Sequence, residues 1–350
     1  MTSFFFKNRM AFRPPLWFAF LLLIPGRAFG AFFVGEGATG ASLLKIPVAA
    51  RATALGTTFT AAKGDIAAIE YNPAGLMGID RMDINLTHLA NFESSSLDSA
   101  SLGFPFGPNI ISQGKSDSQR PVQKWVFGSQ FRTFKATDEE RNEIGAKLGS
   151  FDISDRLFHL AIAHAVTETV SVGAGAKLMQ STLKSDSVTR FAGDIGLQWK
   201  VTRKMSLGTS LLNAGPSKAF IKEKDPLPLI GRLGGAYQWN TLLFLADLSE
   251  GRDRIASGSV GVEWNAVRFL QIRGGLLNHS AMEFTGGIGI LFSELLRPQP
   301  IDVPLDPAER AWDDQMKKSQ APSLDVRLDY AIRSHAELGF THTITLNIIY

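Results

Sequence analysis

The sequence predicts an all-β fold, a transmembrane antiparallel β-barrel of about 14 strands with an N-terminal hatch or plug segment. Three observations carry this expectation. The chain opens on an export signal with no spanning helix behind it. Alternation of apolar and polar residues with period 2 recurs along most of its length. The last strand is apolar on one face and ends on an aromatic residue, Tyr350.

The export signal comes first. Lys7, Arg9 and Arg13 precede the apolar run 16–24, Pro25-Gly26 break it, and Ala28-Phe29-Gly30 offers small residues at the −3 and −1 positions. That order is the order of a secretory signal peptide, and it predicts cleavage near Gly30–Ala31, with residues 1–30 as the leader. The alternative is an N-terminal membrane anchor, but the run is short for a bilayer span, and no later stretch approaches the roughly 18 consecutive apolar residues of a spanning helix. The mature chain is therefore exported without a helical means of staying in a membrane. It has no cysteine, which excludes a disulfide framework, and its net charge of +3 is dispersed, which gives no nucleic-acid surface. Glycine and phenylalanine are frequent, at 33 and 25 residues.

The alternation is clearest in 324–333, LDVRLDYAIR, where even positions are apolar and nearly every odd one is charged. A strand sends successive side chains to opposite faces, so this segment has one greasy and one ionic face. The pattern returns elsewhere. Phe158, Leu160 and Ile162 oppose His159, Ala161 and Ala163; Val170 to Leu178 oppose Ser171, Gly173, Gly175 and Lys177; Phe191, Ile195, Leu197 and Trp199 oppose Asp194, Gln198 and Lys200. In a barrel the greasy face meets lipid and the polar face lines the lumen. Asp194, Glu263, Arg273, Asp325, Arg327, Asp329 and Arg333 are then lumen-facing charges, expected to form cross-strand pairs. Trp125, Trp199, Trp239, Trp264 and Tyr237 fall at or near strand ends, where an aromatic girdle lies.

Strands are expected near 81–90, 97–106, 125–134, 156–166, 169–180, 189–200, 204–213, 229–239, 241–248, 256–265, 267–277, 282–291, 323–333 and 338–350. Tight joins at 167–168, 202–203, 239–240 and 265–266 fall on every second connection. The connections between them, 135–155, 181–188, 214–228 and 249–255, read as longer loops. Short periplasmic turns alternating with longer outer loops are the asymmetry of an outer-membrane barrel. The barrel spans 81–350, and two connections, 107–124 and 292–322, are long on the periplasmic side.

In the last strand Leu338, Phe340, Ile344, Leu346, Ile348 and Tyr350 share one parity, with Gly339, Thr341, Thr343, Thr345 and Asn347 on the other. Ile344, Leu346, Ile348 and Tyr350 resemble the C-terminal signal by which the outer-membrane insertion machinery recognises its clients.

Residues 31–80 do not alternate. Residues 41–54 suit a short helix, 56–62 an extended piece, and Asp65 caps a helix through Glu70. The run Tyr71-Asn72-Pro73-Ala74-Gly75-Leu76 then signals a turn just before the first strand. Two readings compete, a plug folded inside the lumen or a periplasmic tail, and the Gly/Ala-rich, charge-poor composition favours the plug.

Residues 41–56 (ASLLKIPVAARATALG) followed by 68–76 (AIEYNPAGL) resemble the N-terminal signature of the PorV/PorQ family. Asp329-Tyr330-Ala331 with Leu338-Gly339-Phe340-Thr341-His342 resembles that family's final hairpin. The family is in turn similar to FadL-type fatty-acid channels, which are 14-stranded barrels with an N-terminal hatch carrying an Asn-Pro-Ala turn. The resemblance therefore implies a hatch motif at Asn72, Pro73, Ala74 and Gly75. It touches both ends of the mature chain. It departs from the family at Phe340, where a small polar residue is usual, and in the length of 292–322.

Enzymatic chemistry is not expected. The six histidines are scattered, and there is no metal-spaced cluster, no Gly-x-Ser-x-Gly elbow and no phosphate-binding loop. No cofactor is implied, and His159 reads as a lumen hydrogen-bonding residue. Two functions of different class remain. The first is a secretion-associated barrel accessory, whose partners are components of a secretion system. The alternative is a FadL-like channel for a small hydrophobic molecule, which predicts an apolar pocket between hatch and wall. In the 292–322 insertion, Asp306-Pro307 starts a short helix with Trp312 and Met316 on one face. It reads equally as a partner-docking element or as a linker.

Overall fold

The computed structural model of the chain describes residues 35, 37–92, 95–106, 125–219, 224–278, 281–295, 324–335 and 339–350. Fourteen strands close into one barrel. Seven lie in its first half: β1 (Asp83–Ala90), β2 (Ser96–Phe106), β3 (Trp125–Arg141), β4 (Lys147–Ala165), β5 (Val170–Leu183), β6 (Asp186–Lys200) and β7 (Met205–Ala214). After a small ribbon, β8 (Lys218–Ala219) with β9 (Lys224–Asp225), come β10 (Ile230–Trp239), β11 (Leu242–Gly251), β12 (Arg254–Val267), β13 (Leu270–Asn278), β14 (Met282–Leu291), β15 (Asp325–His335) and β16 (Gly339–Ile349). Each barrel strand pairs antiparallel with its neighbours, and β1 meets β16 from Asp83↔Ile349 to Ala90↔His342.

Parity follows the alternation of the sequence. Phe158, Ile162, Phe191, Ile195 and Ile344 are exposed, while their neighbours His159, Ala161, Asp194, Thr343 and Thr345 are buried. An outer surface this apolar with a polar interior reverses the arrangement of a soluble protein and is that of a lipid-facing barrel. Trp125 opens β3, Trp239 ends β10, and Trp199 is the penultimate residue of β6, so these tryptophans gather at one rim. There Trp125 stacks on His164 with ring centroids 4.0 Å apart.

The strand boundaries differ from expectation mainly on the opposite rim. Three connections expected as loops are tight turns between strands that run further. β3 and β4 are 17 and 19 residues long, joined at 142–146, and their ladder continues through Lys135↔Ser154 to Glu140↔Gly149. β5 and β6 meet at residues 184–185, and β11 and β12 at 252–253. Above the apolar band residues 135–141 are polar on both faces apart from Ala136, so the alternation fades there while backbone pairing persists. Of the 292–322 insertion only the short helix Phe292–Leu295 lies among the described residues. The leader 1–30 lies outside them, as do residue 338 and the remainder of the insertion.

Residues 37–80 run through the barrel interior. Expected as one helix, 41–54 forms a 3-10 turn (Ser42–Lys45) and an α-helix (Ala50–Ala54). Pro47 separates them, since it lacks an N–H and drives Ile46 to extended geometry (φ −84°, ψ 119°). In place of an extended piece at 56–62 the chain turns, with positive φ at Gly56 (67°) and Thr57 (57°). Asp65 caps Ile66–Glu70 as a 3-10 helix, its side chain accepting from the Ala67 N–H. Phe59, Leu55, Ile66, Ile69 and Leu76 are fully buried, each contributing roughly 1.5–3 kcal/mol of apolar burial.

Candidate functional site

The interior segment meets the wall differently on different sides. Against β12–β15 it is held by a closed ring of alternating charges. The Arg51 guanidinium forks onto Glu263, Nε to Oε2 at 2.8 Å and Nη2 to Oε1 at 2.9 Å. Glu263 Oε2 also accepts from Arg273 Nε at 2.7 Å, and Arg273 Nη1 donates to Asp329 Oδ1 at 2.6 Å. Asp329 Oδ2 accepts from Arg327 Nε at 2.7 Å, and Arg327 Nη2 donates to Asp65 Oδ2 at 2.8 Å. Asp65 closes the ring at 3.5 Å from Arg51 Nη1.

Three acids and three arginines thus neutralise one another, two of them, Arg51 and Asp65, from the segment and four from the wall. Glu263 and Arg273 are direct cross-strand partners, and Arg273 reaches Asp329 across β14 at Gly289, where a Cβ would lie 2.4 Å from Asp329 Oδ1. Burial pushes the Asp65 carboxyl up. Arg327 and Arg51, with the Ala67 N–H, more than offset this and hold it below the usual carboxylate range.

A second anchor sits on β10 and β11. Asp247 Oδ2 accepts from the Phe59 and Thr60 N–H groups, both at 3.1 Å, and from Thr60 Oγ1 at 2.6 Å. Arg232 bonds Asp247, Thr60 Oγ1 and the Thr57 carbonyl. Next to it, Asn72 N-caps the 3-10 helix Pro73–Gly78, accepting from the Ala74 N–H at 3.1 Å. Its Nδ2 donates to the Thr60 carbonyl at 2.8 Å and to the Leu197 carbonyl of β6 at 3.0 Å. Pro73 suits the first helical position, where a missing N–H costs nothing. The wall makes room for this side chain at Gly196, where a Cβ would lie 2.0 Å from Asn72 Oδ1. Ala74 and Gly75 are buried, and Ser171 of β5 donates to the Ala74 carbonyl at 3.3 Å.

Between β4 and β7 the wall carries its own polar cluster. Lys177 Nζ lies 2.7 Å from Asp194 Oδ2, and His159 Nε2 lies 3.2 Å from the same atom. Asn213, left-handed at φ 62° where the β6–β7 register shifts, donates its N–H to Asp194 Oδ1 at 2.8 Å and accepts from Lys177 at 2.6 Å. His159 therefore belongs to an ionic wall cluster.

The β2–β4 side is different again. Ile66, Ile69, Leu76 and Ile79 of the segment pack on Val126, Ala161 and Ala163. Among the described residues no hydrogen bond joins Ile66, Ile69 or Leu76 to these strands. One acidic side chain of the segment does reach them. Glu70 Oε2 pairs with Arg132 at 2.6 Å and Oε1 accepts from Gln130 Nε2 at 2.6 Å, with the Glu70 and Arg132 side chains only 6% and 5% exposed.

Above the segment a cavity of about 650 Å³ opens toward the rim with the long hairpin. Leu44, Ile46, Leu157, Leu212 and Ile230 give it apolar surface, and Glu70, Tyr71 and Arg132 are among its polar lining. Its volume falls within the roughly 300–1,000 Å³ of small-molecule sites.

Of the charges expected in the lumen, Glu263, Arg273, Arg327 and Asp329 belong to the ring and Asp194 to the wall cluster. Arg333 pairs with Glu283 at 2.6 Å, and Asp325 pairs with Arg81 near the opposite rim. The sequence did not single out Arg51, Asp65 as an ion-pair member, Glu70 or Asp247. In the last strand Ile344 and Tyr350 are exposed and Leu346 and Ile348 half-buried. Its other face closes the barrel, with Asn347 donating to Asp83 and Asn85, and Thr345 2.8 Å from Thr87. Trp312 and Met316 lie outside the described residues.

The barrel is similar in fold to solved channels. A Pseudomonas aeruginosa FadL homologue aligns over 87% of this chain and 98% of its own, with a TM-score of 0.54 and 10% identity. The P. putida toluene transporter TodX aligns over 90% and 97%, with a TM-score of 0.51 and 13% identity. The monoaromatic hydrocarbon channel CymD aligns over 86% and 96%, with a TM-score of 0.54 and 11% identity. A curated relative, a UPF0164 protein of Treponema pallidum (strain Nichols), is 27% identical over 194 residues, 49% of this chain. The chain spans 42% of that relative's length. Residues 33–215, more than half of the chain, match the uncharacterised protein family UPF0164, and the chain belongs to that family.

Proposed function

We propose that the chain is an outer-membrane barrel that passes small hydrophobic molecules, with residues 31–80 as its hatch. The observation that carries this reading is the cavity between hatch and wall, where Leu44, Ile46, Leu157, Leu212 and Ile230 give a mostly polar lining an apolar part. The FadL-like fold supports it, and toluene and monoaromatic hydrocarbons, named for TodX and CymD, are the ligand class to try first. Export by a leader at 1–30, insertion guided by the strand ending at Tyr350, and the absence of enzymatic activity complete the reading.

A second reading, a secretion accessory of PorV/PorQ type, is favoured by the interior segment itself, which crosses the lumen and is bonded to the wall on several sides. In that reading Trp312 and Met316 dock a periplasmic partner. The two are separated by producing the full chain in a Gram-negative host and measuring uptake of radiolabelled toluene. Uptake above the host background, from an outer-membrane fraction showing heat-modifiable migration, is the expected result. An assembled barrel with background uptake would remove the passage reading in favour of the accessory.

A further inference from the structure

We infer that the route for a small uncharged apolar molecule runs between the interior segment and β2–β4, with the Glu70–Arg132–Gln130 contact as its latch. This inference rests on the passage reading above and adds to it a path and a residue that controls it. The cavity floor is where Glu70 and Arg132 meet. Below them, toward the rim where Trp125 opens β3, the interface is Ile66, Ile69 and Leu76 against Val126, Ala161 and Ala163. Elsewhere the segment is tied to the wall by charge or by directed hydrogen bonds: the ring on β12–β15, Asp247 and Arg232 on β10–β11, and Asn72 on β6.

Apolar contact is non-directional, so side chains that part around an apolar guest exchange one such contact for another. Parting the other sides would leave buried charges or amides unpaired. The ionic sides also exclude the guest, whereas the β2–β4 side matches its chemistry. Glu70 is the side chain of the segment that makes a charged tie on that side, beside a weaker bond from Arg132 to the Ile46 carbonyl. While it holds Arg132 and Gln130, the segment stays against β3 and the cavity has a floor. Arg132 also donates to Gln130 Oε1 at 2.9 Å and to the Ile46 carbonyl at 3.3 Å, so it keeps partners when Glu70 lets go.

The test is toluene uptake by the full-length chain and three variants in the same host. Glu70→Gln keeps the shape and removes the charge, and uptake should rise about threefold or more. Gly128→Leu fills the interface, since a Cβ there already lies 3.0 Å from Leu76 Cδ1 and 3.2 Å from Ile69 Cδ1, and uptake should fall to the host background. Gly274→Ala, where a Cβ meets nothing within 4 Å, should leave uptake unchanged. Glu70→Gln adds no volume, so it decides the matter even if Gly128→Leu fails to assemble. Uptake by the unaltered chain that neither Glu70→Gln nor an assembled Gly128→Leu alters would overturn the route and leave the passage reading standing. Background uptake by the unaltered chain would end both.

Discussion

The β12–β15 wall and the β2–β4 wall hold the same interior segment by opposite means. On the first, Arg51 and Asp65 close a ring with Glu263, Arg273, Asp329 and Arg327, four of them buried, Arg51 and Arg327 partly so, and each facing an opposite charge. On the second, Ile66, Ile69 and Leu76 press on small wall residues, with Glu70 as their polar neighbour. The difference is one of tolerance. A charge ring is a single geometry, because displacing one member strands its neighbours without water. An apolar interface admits many nearly equal arrangements, so it can open and close again. One side positions the segment and the other lets it move.

The largest effect is expected from breaking the ring. Arg273→Leu leaves Glu263 and Asp329 facing each other without their shared cation, and should destabilise the assembled barrel by about 3–5 kcal/mol. The temperature at which heat-modifiable migration is lost would report it. Asn72→Ala removes three hydrogen bonds, one of them the helix cap, at about 1–3 kcal/mol. Gly196→Ala crowds the same side chain and should cost about 1–3 kcal/mol alone. In the double variant the two costs should fall short of their sum, since removing the Asn72 side chain frees the space that the Cβ requires.

Acid should loosen the ring in a defined direction. The Asp65 carboxyl is held below its ordinary 3.8 in the folded chain, so its contribution is full above that value and is lost as pH falls through the depressed one. Asp65→Asn should remove this acid limb from the pH profile of barrel melting. The smallest effect is expected at the rim, where Lys45 Nζ lies 2.7 Å from Asp253. Asp253→Asn should cost only about 0–1 kcal/mol, less at high salt, because Lys45 is partly exposed.

The strands were legible because a barrel wall writes its two environments into alternate residues. Phe158 against His159 and Ile195 against Asp194 state the inside and the outside directly. The same parity picked out Glu263, Arg273, Arg327 and Asp329 as charges sharing a face. Their partners Arg51 and Asp65 were not legible as partners, because they lie in an irregular segment without a period and Arg51 finds Glu263 across 212 positions. Glu70 left one signal, an acid closing the apolar run Ile66-Ala67-Ala68-Ile69, which a search for stray charges in buried segments would have caught. Gly128 and Gly196 show in the sequence only as glycines. What each accommodates depends on how the segment crosses the lumen, and no local pattern encodes that.

The contrast between the two walls can be tested directly because the chain has no cysteine, so an introduced thiol is unique. Ile69→Cys places it on the β2–β4 side, and Ala54→Cys places it beside Ala331 on the ionic side; both positions are fully buried. Thiol labelling of the assembled barrel in mild denaturant should modify Ile69→Cys well before Ala54→Cys, with Glu70→Gln widening the gap. Labelling of Ala54→Cys first, or of both together, would contradict a segment fixed on its charged side and free on its apolar one.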